Sequence, residues 1–232
     1  MKLKDPYVLK NGTLKNLLGI EDYNLLKQAE ADIGFAKLIN VETVCEDDFD
    51  IALIKRIHKH IFEDIFEWAG EFRTVPLYKE EKYVIPGLSL DYTQPKDMES
   101  EIYKAIHELN SVEWKNKSLD EIAVEFTRYI TKIWKIHPFR DGNTRTILSF
   151  AAIYAEQHGF PMDKSIFINR LSRNTTESGK TTYSVRDLFV FASLEPENYP
   201  EPEYLERLIK KSIISEHRNR RMKKQENEIE NA

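Results

Sequence analysis

Ile136-His137-Pro138-Phe139-Arg140-Asp141-Gly142-Asn143-Thr144-Arg145-Thr146 is the stretch whose reading decides the fold. The run before it, Thr127 to Trp134, reads as a helix, and the nearly apolar run after it, Ile147 to Ala155, reads as a second, buried one. A residue preceding proline is pushed out of the helical region, so Pro138 and Gly142 predict a tight loop between the two helices. Asn143 is placed as the N-cap of the second helix. The first amides of that helix, at Thr144, Arg145 and Thr146, then lack intrahelical partners and form a ready site for an anion such as phosphate. Arg145 adds a planar fork suited to phosphate oxygens. The Asp141 carboxylate is of the type that holds Mg2+ against phosphates. His137 has the one nearby side chain whose ordinary pKa suits proton abstraction near neutrality.

Composition bounds the class of protein. The chain has 232 residues, 41% hydrophobic and 31% charged, with net charge −5, so it reads as globular with no general attraction for nucleic acid. Cys45 is the single cysteine and lies in an acidic context, which excludes a disulfide framework and reads as an inert thiol in a reducing compartment. No apolar leader is legible at Met1-Lys2-Leu3-Lys4, and no run approaches the ~20 apolar residues of a membrane span. The expectation is a cytoplasmic protein; a signal for delivery into a host cell would not show in composition.

The helical pattern continues on both sides. Residues 1–20 read as an extended arm with turns at Asp5-Pro6 and Asn11-Gly12. Leu25, Leu26, Ala29, Ile33 and Leu38 predict one helix stripe. A second helix is predicted from about Asp47, its apolar face made by Ile51, Leu53, Ile54, Ile57, His58, Ile61, Phe62 and Ile65. His58 and His60 are two apart, so they point to different faces and read as packing or surface residues rather than a metal pair. Phe72 to Tyr78 and Lys82 to Ile85 predict a small edge hairpin, Pro76 having no amide to donate. Helices are predicted from Pro95 to about Val112, from a Ser118–Glu121 capping box through Trp134, to His158, from Tyr183 to Ser193, and from Pro202. Ser172 to Lys180 reads as a polar loop, and the charged run after Glu216 as a frayed, solvated helix end. The fold class is all-α: about eight helices around a central helix–loop–helix motif, with one small β-hairpin. Residues 1–200 are expected to form the main domain with its arm, and 201–232 a C-terminal helix and charged tail.

The motif resembles that of the Fic family, His-x-Phe-x-Asp/Glu-Gly-Asn-Gly-Arg-x-x-Arg. His137, Phe139, Asp141, Gly142, Asn143 and Arg145 match; Thr144 replaces a glycine and Leu148 the last arginine. Weaker similarity runs from Asp5 to about Leu208. It includes Leu14-Lys15-Asn16-Leu17-Leu18-Gly19-Ile20 in the arm and Trp68-Ala69-Gly70-Glu71-Phe72-Arg73-Thr74-Val75, which in the family leads into a flap over the active site.

The resemblance implies transfer of AMP from ATP to a Ser, Thr or Tyr hydroxyl of a target protein. In that scheme His137 is the base and Asp141 the Mg2+ ligand, while Gly142, Asn143, Thr144, Arg145 and the flap-tip Lys79 bind nucleotide. Thr74, Val75 and Leu77 dock an extended target segment by strand addition. Phe139 is expected in the core and Arg140 in solvent. Leu148 cannot supply the charge-assisted contact of the missing arginine, about 1.5–3 kcal/mol. That departure keeps two alternatives open: a transferase using another nucleotide-linked donor, and a catalytically silent phosphate-binding module. Ser212-Ile213-Ile214-Ser215-Glu216-His217 comes close to the family's inhibitory pattern but ends in His, so the resemblance implies a separate small antitoxin or no such control.

Overall fold

Asp50, at the start of a strongly patterned helix, accepts the Leu53 amide at 2.8 Å and caps α2, Ile51–Phe62. The computed structural model describes residues 5–45, 48–172, 174–175 and 181–230. The expected helix start at Asp47, positions 1–4 and most of the 172–180 loop therefore lie outside the described residues. Among the described residues there are eight α-helices: α1 Tyr23–Leu38, α2, α3 Met98–Asn110, α4 Leu119–Ile136, α5 Asn143–Gln157, α6 Lys164–Ile168, α7 Val185–Ala192 and α8 Glu203–Glu230. The all-α class is what the sequence predicts; the short helix α6 is not. Among the described residues no helix is long and apolar enough to cross a membrane.

The chain divides into two compact units. The first comprises residues 1–78, 91–110 and 136–150, and the second 79–90, 111–135 and 151–232. In the first, α2 packs on α1 and α3. Leu53, Ile54, Ile57, His58, Ile61 and Phe62 are buried, so the wide apolar face predicted for α2 is the one it buries. Phe139, Ile147 and Phe150 of the motif region are also fully buried. The arm lies on this unit as expected: Leu17 donates to the Ile65 carbonyl at 2.8 Å, and the Tyr7 ring meets Trp68 edge-on at 5.5 Å.

α1 departs from its predicted face. Leu25 is 58% exposed, and the buried line is Leu26, Glu30, Gly34 and Leu38. The apolar periodicity is overridden by a buried carboxylate whose partner comes from α5, described below.

In the second unit, Ser118 and Glu121 form the expected capping interaction of α4, the Ser118 amide donating to Glu121 at 2.7 Å. Trp114, Phe126, Tyr154 and Phe160 form one aromatic cluster, with Trp114 Nε1 donating to Tyr154 Oη at 3.0 Å. His158 Nδ1 bonds the Tyr154 carbonyl at 2.8 Å, capping the end of α5. α8 continues as helix to Glu230, which corrects the frayed end: Arg220 pairs with Glu156 and Glu216. Glu216 is thus engaged by its own helix neighbour.

The hairpin predicted at 72–85 is not a strand pair. Neither run is a strand, and the backbone groups have other partners. The Arg73 amide donates to the Pro138 carbonyl, Lys79 to Ser89 Oγ, and Glu81 to the Leu88 carbonyl. Pro76 has no amide. Among the described residues the one ladder is a two-residue pair, Asn174–Thr175 with Thr181–Thr182.

Candidate active site

α4 ends at Ile136 because Pro138 follows two residues later. Between them His137 adopts a left-handed backbone, φ 53°, and is 1% exposed. A non-glycine residue there costs on the order of 1–3 kcal/mol and persists when its surroundings fix it. Arg73 does the fixing. Its Nε donates to the His137 carbonyl at 2.9 Å, its amide to the Pro138 carbonyl at 2.8 Å, and the rest of its guanidinium to the Val75 and Thr93 carbonyls. Burial lowers the Arg73 pKa to about 10, so it stays charged at neutral pH among carbonyls. The Tyr92 ring lies 4.2 Å from the imidazole of His137.

The loop then closes on itself. Asn143 Oδ1 accepts the Phe139 amide at 2.9 Å and its Nδ2 donates to the Phe139 carbonyl at 2.8 Å. Asn143 is therefore the first residue of α5 rather than its cap. Gly142 holds the cap position, its carbonyl accepting Thr146 N and Oγ1, each at 3.1 Å. Gly142 has φ 81°, and a Cβ there would lie 2.3 Å from the Phe62 ring, so glycine is required both by conformation and by space. The amides of Asn143, Thr144 and Arg145 precede the first intrahelical bond and form the expected anion-type helix start.

His58 holds the loop from beneath. It is fully buried and stacks on Phe139 at 3.8 Å and 12°. Its Nδ1 accepts the Gly70 amide at 2.8 Å, so the proton sits on Nε2, which donates to the Asp141 carbonyl at 3.1 Å. Burial, opposed by that carbonyl, pushes its pKa down to about 3, leaving a neutral ring at physiological pH.

Asp141 and Arg145 are both engaged by α1. Asp141 Oδ2 pairs with Lys27 Nζ at 2.8 Å, and its Oδ1 accepts the Gly142 amide at 2.8 Å. Lys27 also pairs with Glu30 at 2.9 Å. Burial opposes the Lys27 charge, but Asp141 and Glu30 outweigh it and its pKa is raised. Glu30, 2% exposed, bonds the Arg145 guanidinium, which also donates to the Glu30 carbonyl and lies 4.5 Å over the Phe62 ring. Gly34 makes room: a Cβ there would sit 2.9 Å from Arg145 Nη1.

This arrangement tests the Mg2+ assignment. One carboxylate plus substrate phosphates is ordinary Mg2+ ligation. Here, however, an ammonium holds Asp141 Oδ2 and an amide holds Oδ1. The residues as arranged do not fit Mg2+; a monovalent cation stands at its expected position.

The other sequence-predicted residues fall as follows. Thr144 is half-buried and Leu148 is buried. Thr74, Val75 and Leu77 belong to the same unit as the motif. The Thr74 amide donates to Tyr7 Oη at 3.1 Å and the Val75 carbonyl is taken by Arg73. Lys79 belongs to the second unit. Arg140, expected in solvent, instead pairs with Asp5 of the arm at 2.8 Å. Lys27, Glu30, His58 and Arg73 are site residues that the sequence reading did not assign. Arg73 lay within the quoted flap segment and His58 on an apolar face, so both were visible but without a role.

Comparisons with known proteins give the family and the fold. Residues 48–155 match the sequence model of the Fic/DOC family. The chain is 31% identical over 165 residues to the protein adenylyltransferase VbhT of Bartonella schoenbuchensis, covering 68% of this chain and 32% of that protein. It is 29% identical over 154 residues to the "probable protein adenylyltransferase y4lH" of Sinorhizobium fredii, covering 66% and 75%. The chain thus spans about a third of the length of VbhT and three quarters of y4lH. The N-terminal Fic domain of a VirB-translocated Bep effector from Bartonella quintana, solved with bound ADP, superposes with TM-score 0.69 at 24% identity over 89% of this chain and 93% of that one, a likeness of fold. The helix–loop–helix, its clasped loop and the family match carry one conclusion: residues 48–155 form a Fic domain of the Fic/DOC family.

Proposed function

We propose that this domain transfers AMP from ATP to a Ser, Thr or Tyr hydroxyl of a target protein. The observation that carries the reading is the placement of His137. It is buried in a strained backbone held by Arg73, two residues ahead of the Phe139–Asn143 clasp that opens the α5 amide series. In the proposed reaction the target hydroxyl oxygen attacks the α-phosphorus. The new O–P bond forms as the bond to the β-bridging oxygen breaks, pyrophosphate leaves, and the hydroxyl proton passes to the imidazole of His137. The amides of residues 143–145 orient the phosphates and stabilise developing charge, a reaction made mostly of positioning and electrostatics. Arg145 contributes through its amide, its guanidinium being held by Glu30. Thr74, Val75 and Leu77 are assigned to docking of the target segment. A small antitoxin helix is the proposed inhibitor. The adenylyltransferase names of the relatives support the donor chemistry.

A second reading is favoured by two observations: Leu148 stands where the motif has an arginine, and Lys27 occupies Asp141. Both change how a phosphate chain would be held, and both fit a different nucleotide-linked donor. Intact mass after incubation with ATP and cell lysate, beside His137→Ala, separates the two. One added AMP mass that His137→Ala loses supports adenylyl transfer. A different adduct from another nucleotide supports the second reading, and no adduct from any donor contradicts both.

A further inference from the structure

We propose that Lys27 is the built-in cation of the phosphate site: its ammonium, held by Asp141 and Glu30, meets the phosphate oxygens of the bound nucleotide in the place a divalent metal would take. The inference rests on the nucleotide-binding reading above and deepens it.

The ammonium is fixed from two directions. Nζ lies 2.8 Å from Asp141 Oδ2 and 2.9 Å from Glu30 Oε2. Neither carboxylate is free to swing away. Asp141 is tied through Oδ1 to the Gly142 amide, and Glu30 is tied to Arg145. An ammonium has three donors. Asp141 and Glu30 use two, and the side chain is 36% exposed, so a third donor can face a ligand. Asp141 directly precedes Gly142, the cap of α5, which sets the ammonium beside the start of the amide series. A triphosphate or diphosphate placed on those amides would find a positive charge already in position.

A divalent ion at the same carboxylate would have to displace Lys27 or share one oxygen with it. Mg2+ requires near-octahedral oxygen ligation at about 2.0–2.1 Å and loses its waters reluctantly. Repulsion from an adjacent ammonium adds to that cost. The nucleotide is therefore bound with its charge neutralised by Lys27, and its affinity depends little on Mg2+.

The test is calorimetric titration of the full chain with ADP, with Mg2+ present and with EDTA, for wild type, Lys27→Met and Lys27→Arg, each checked for native helicity by circular dichroism. Wild type and Lys27→Arg bind ADP with similar affinity in both buffers. Lys27→Met loses about 10- to 100-fold in EDTA, the scale of one charge-assisted contact, and recovers with Mg2+. Mn2+ followed by electron paramagnetic resonance with ADP gives a second readout: uptake by Lys27→Met and none by wild type. ADP binding by wild type that requires Mg2+, or unaltered ADP affinity of Lys27→Met in EDTA, overturns the assignment of Lys27 while leaving the nucleotide site intact. Absence of ADP binding by folded wild type in either buffer overturns the nucleotide reading and this inference with it.

Discussion

Glu30 and Arg145 join α1 to the first turn of α5 through a buried ion pair whose members are 115 residues apart in sequence. The carboxylate is 2% exposed, so its desolvation is large and its stability depends on the partner. Replacing one member strands the other. Glu30→Ala is expected to lower unfolding free energy by about 3–5 kcal/mol, and Glu30→Leu with Arg145→Met to recover much of the loss. Urea denaturation of the three proteins checks this.

Gly142→Ala combines a left-handed backbone with a Cβ driven into Phe62. Strain of on the order of 1–3 kcal/mol and overpacking of similar size add, for a loss of roughly 2–6 kcal/mol. Phe62→Leu in the Gly142→Ala background relieves the overpacking alone. The pair of melting curves separates the two contributions.

Burial holds the His58 pKa at about 3 in the fold, against 6.5 when unfolded. Between those values the unfolded state binds the extra proton. The stability His58 provides is therefore complete above the unfolded pKa and falls as pH drops toward the folded one. The slope is about 1.4 kcal/mol per pH unit. Wild type is expected to lose more stability than His58→Gln on going from pH 7 to pH 5, measured by denaturant titration at each pH. Equal slopes would contradict the assignment.

Arg73→Lys keeps the charge and loses the fork that reaches the His137, Val75 and Thr93 carbonyls. The expected result is a fall in kcat larger than the rise in KM, because His137 loses its support while the amide series at α5 remains. A change confined to KM would assign Arg73 to target docking instead.

The motif helices, the apolar face of α2 and the cap at Ser118 were legible because each is written in local spacing and side-chain chemistry. The buried face of α1 was not. Leu25 and Ile33 supply the apolar period, but the buried line runs through Glu30 because its partner is an arginine on a distant helix. Arg140 was misread for the same reason: Asp5, 135 residues away, draws it from solvent. The 72–85 hairpin failed because alternation predicts strands only where backbone groups are available, and here Arg73 and the neighbouring loops use them. Of the candidate site, the identity of the loop residues was readable; that Lys27 and Glu30 engage Asp141 and Arg145 was not.

The central claim is that His137 directs a target hydroxyl onto the α-phosphorus of ATP. Incubating the protein and lysate in parallel with ATP labelled at the α- or γ-phosphate tests it most directly. The account predicts protein-bound label from the α-labelled donor, none from the γ-labelled donor, and neither with His137→Ala. Label from the γ-phosphate, or α-label that persists in His137→Ala, would contradict it.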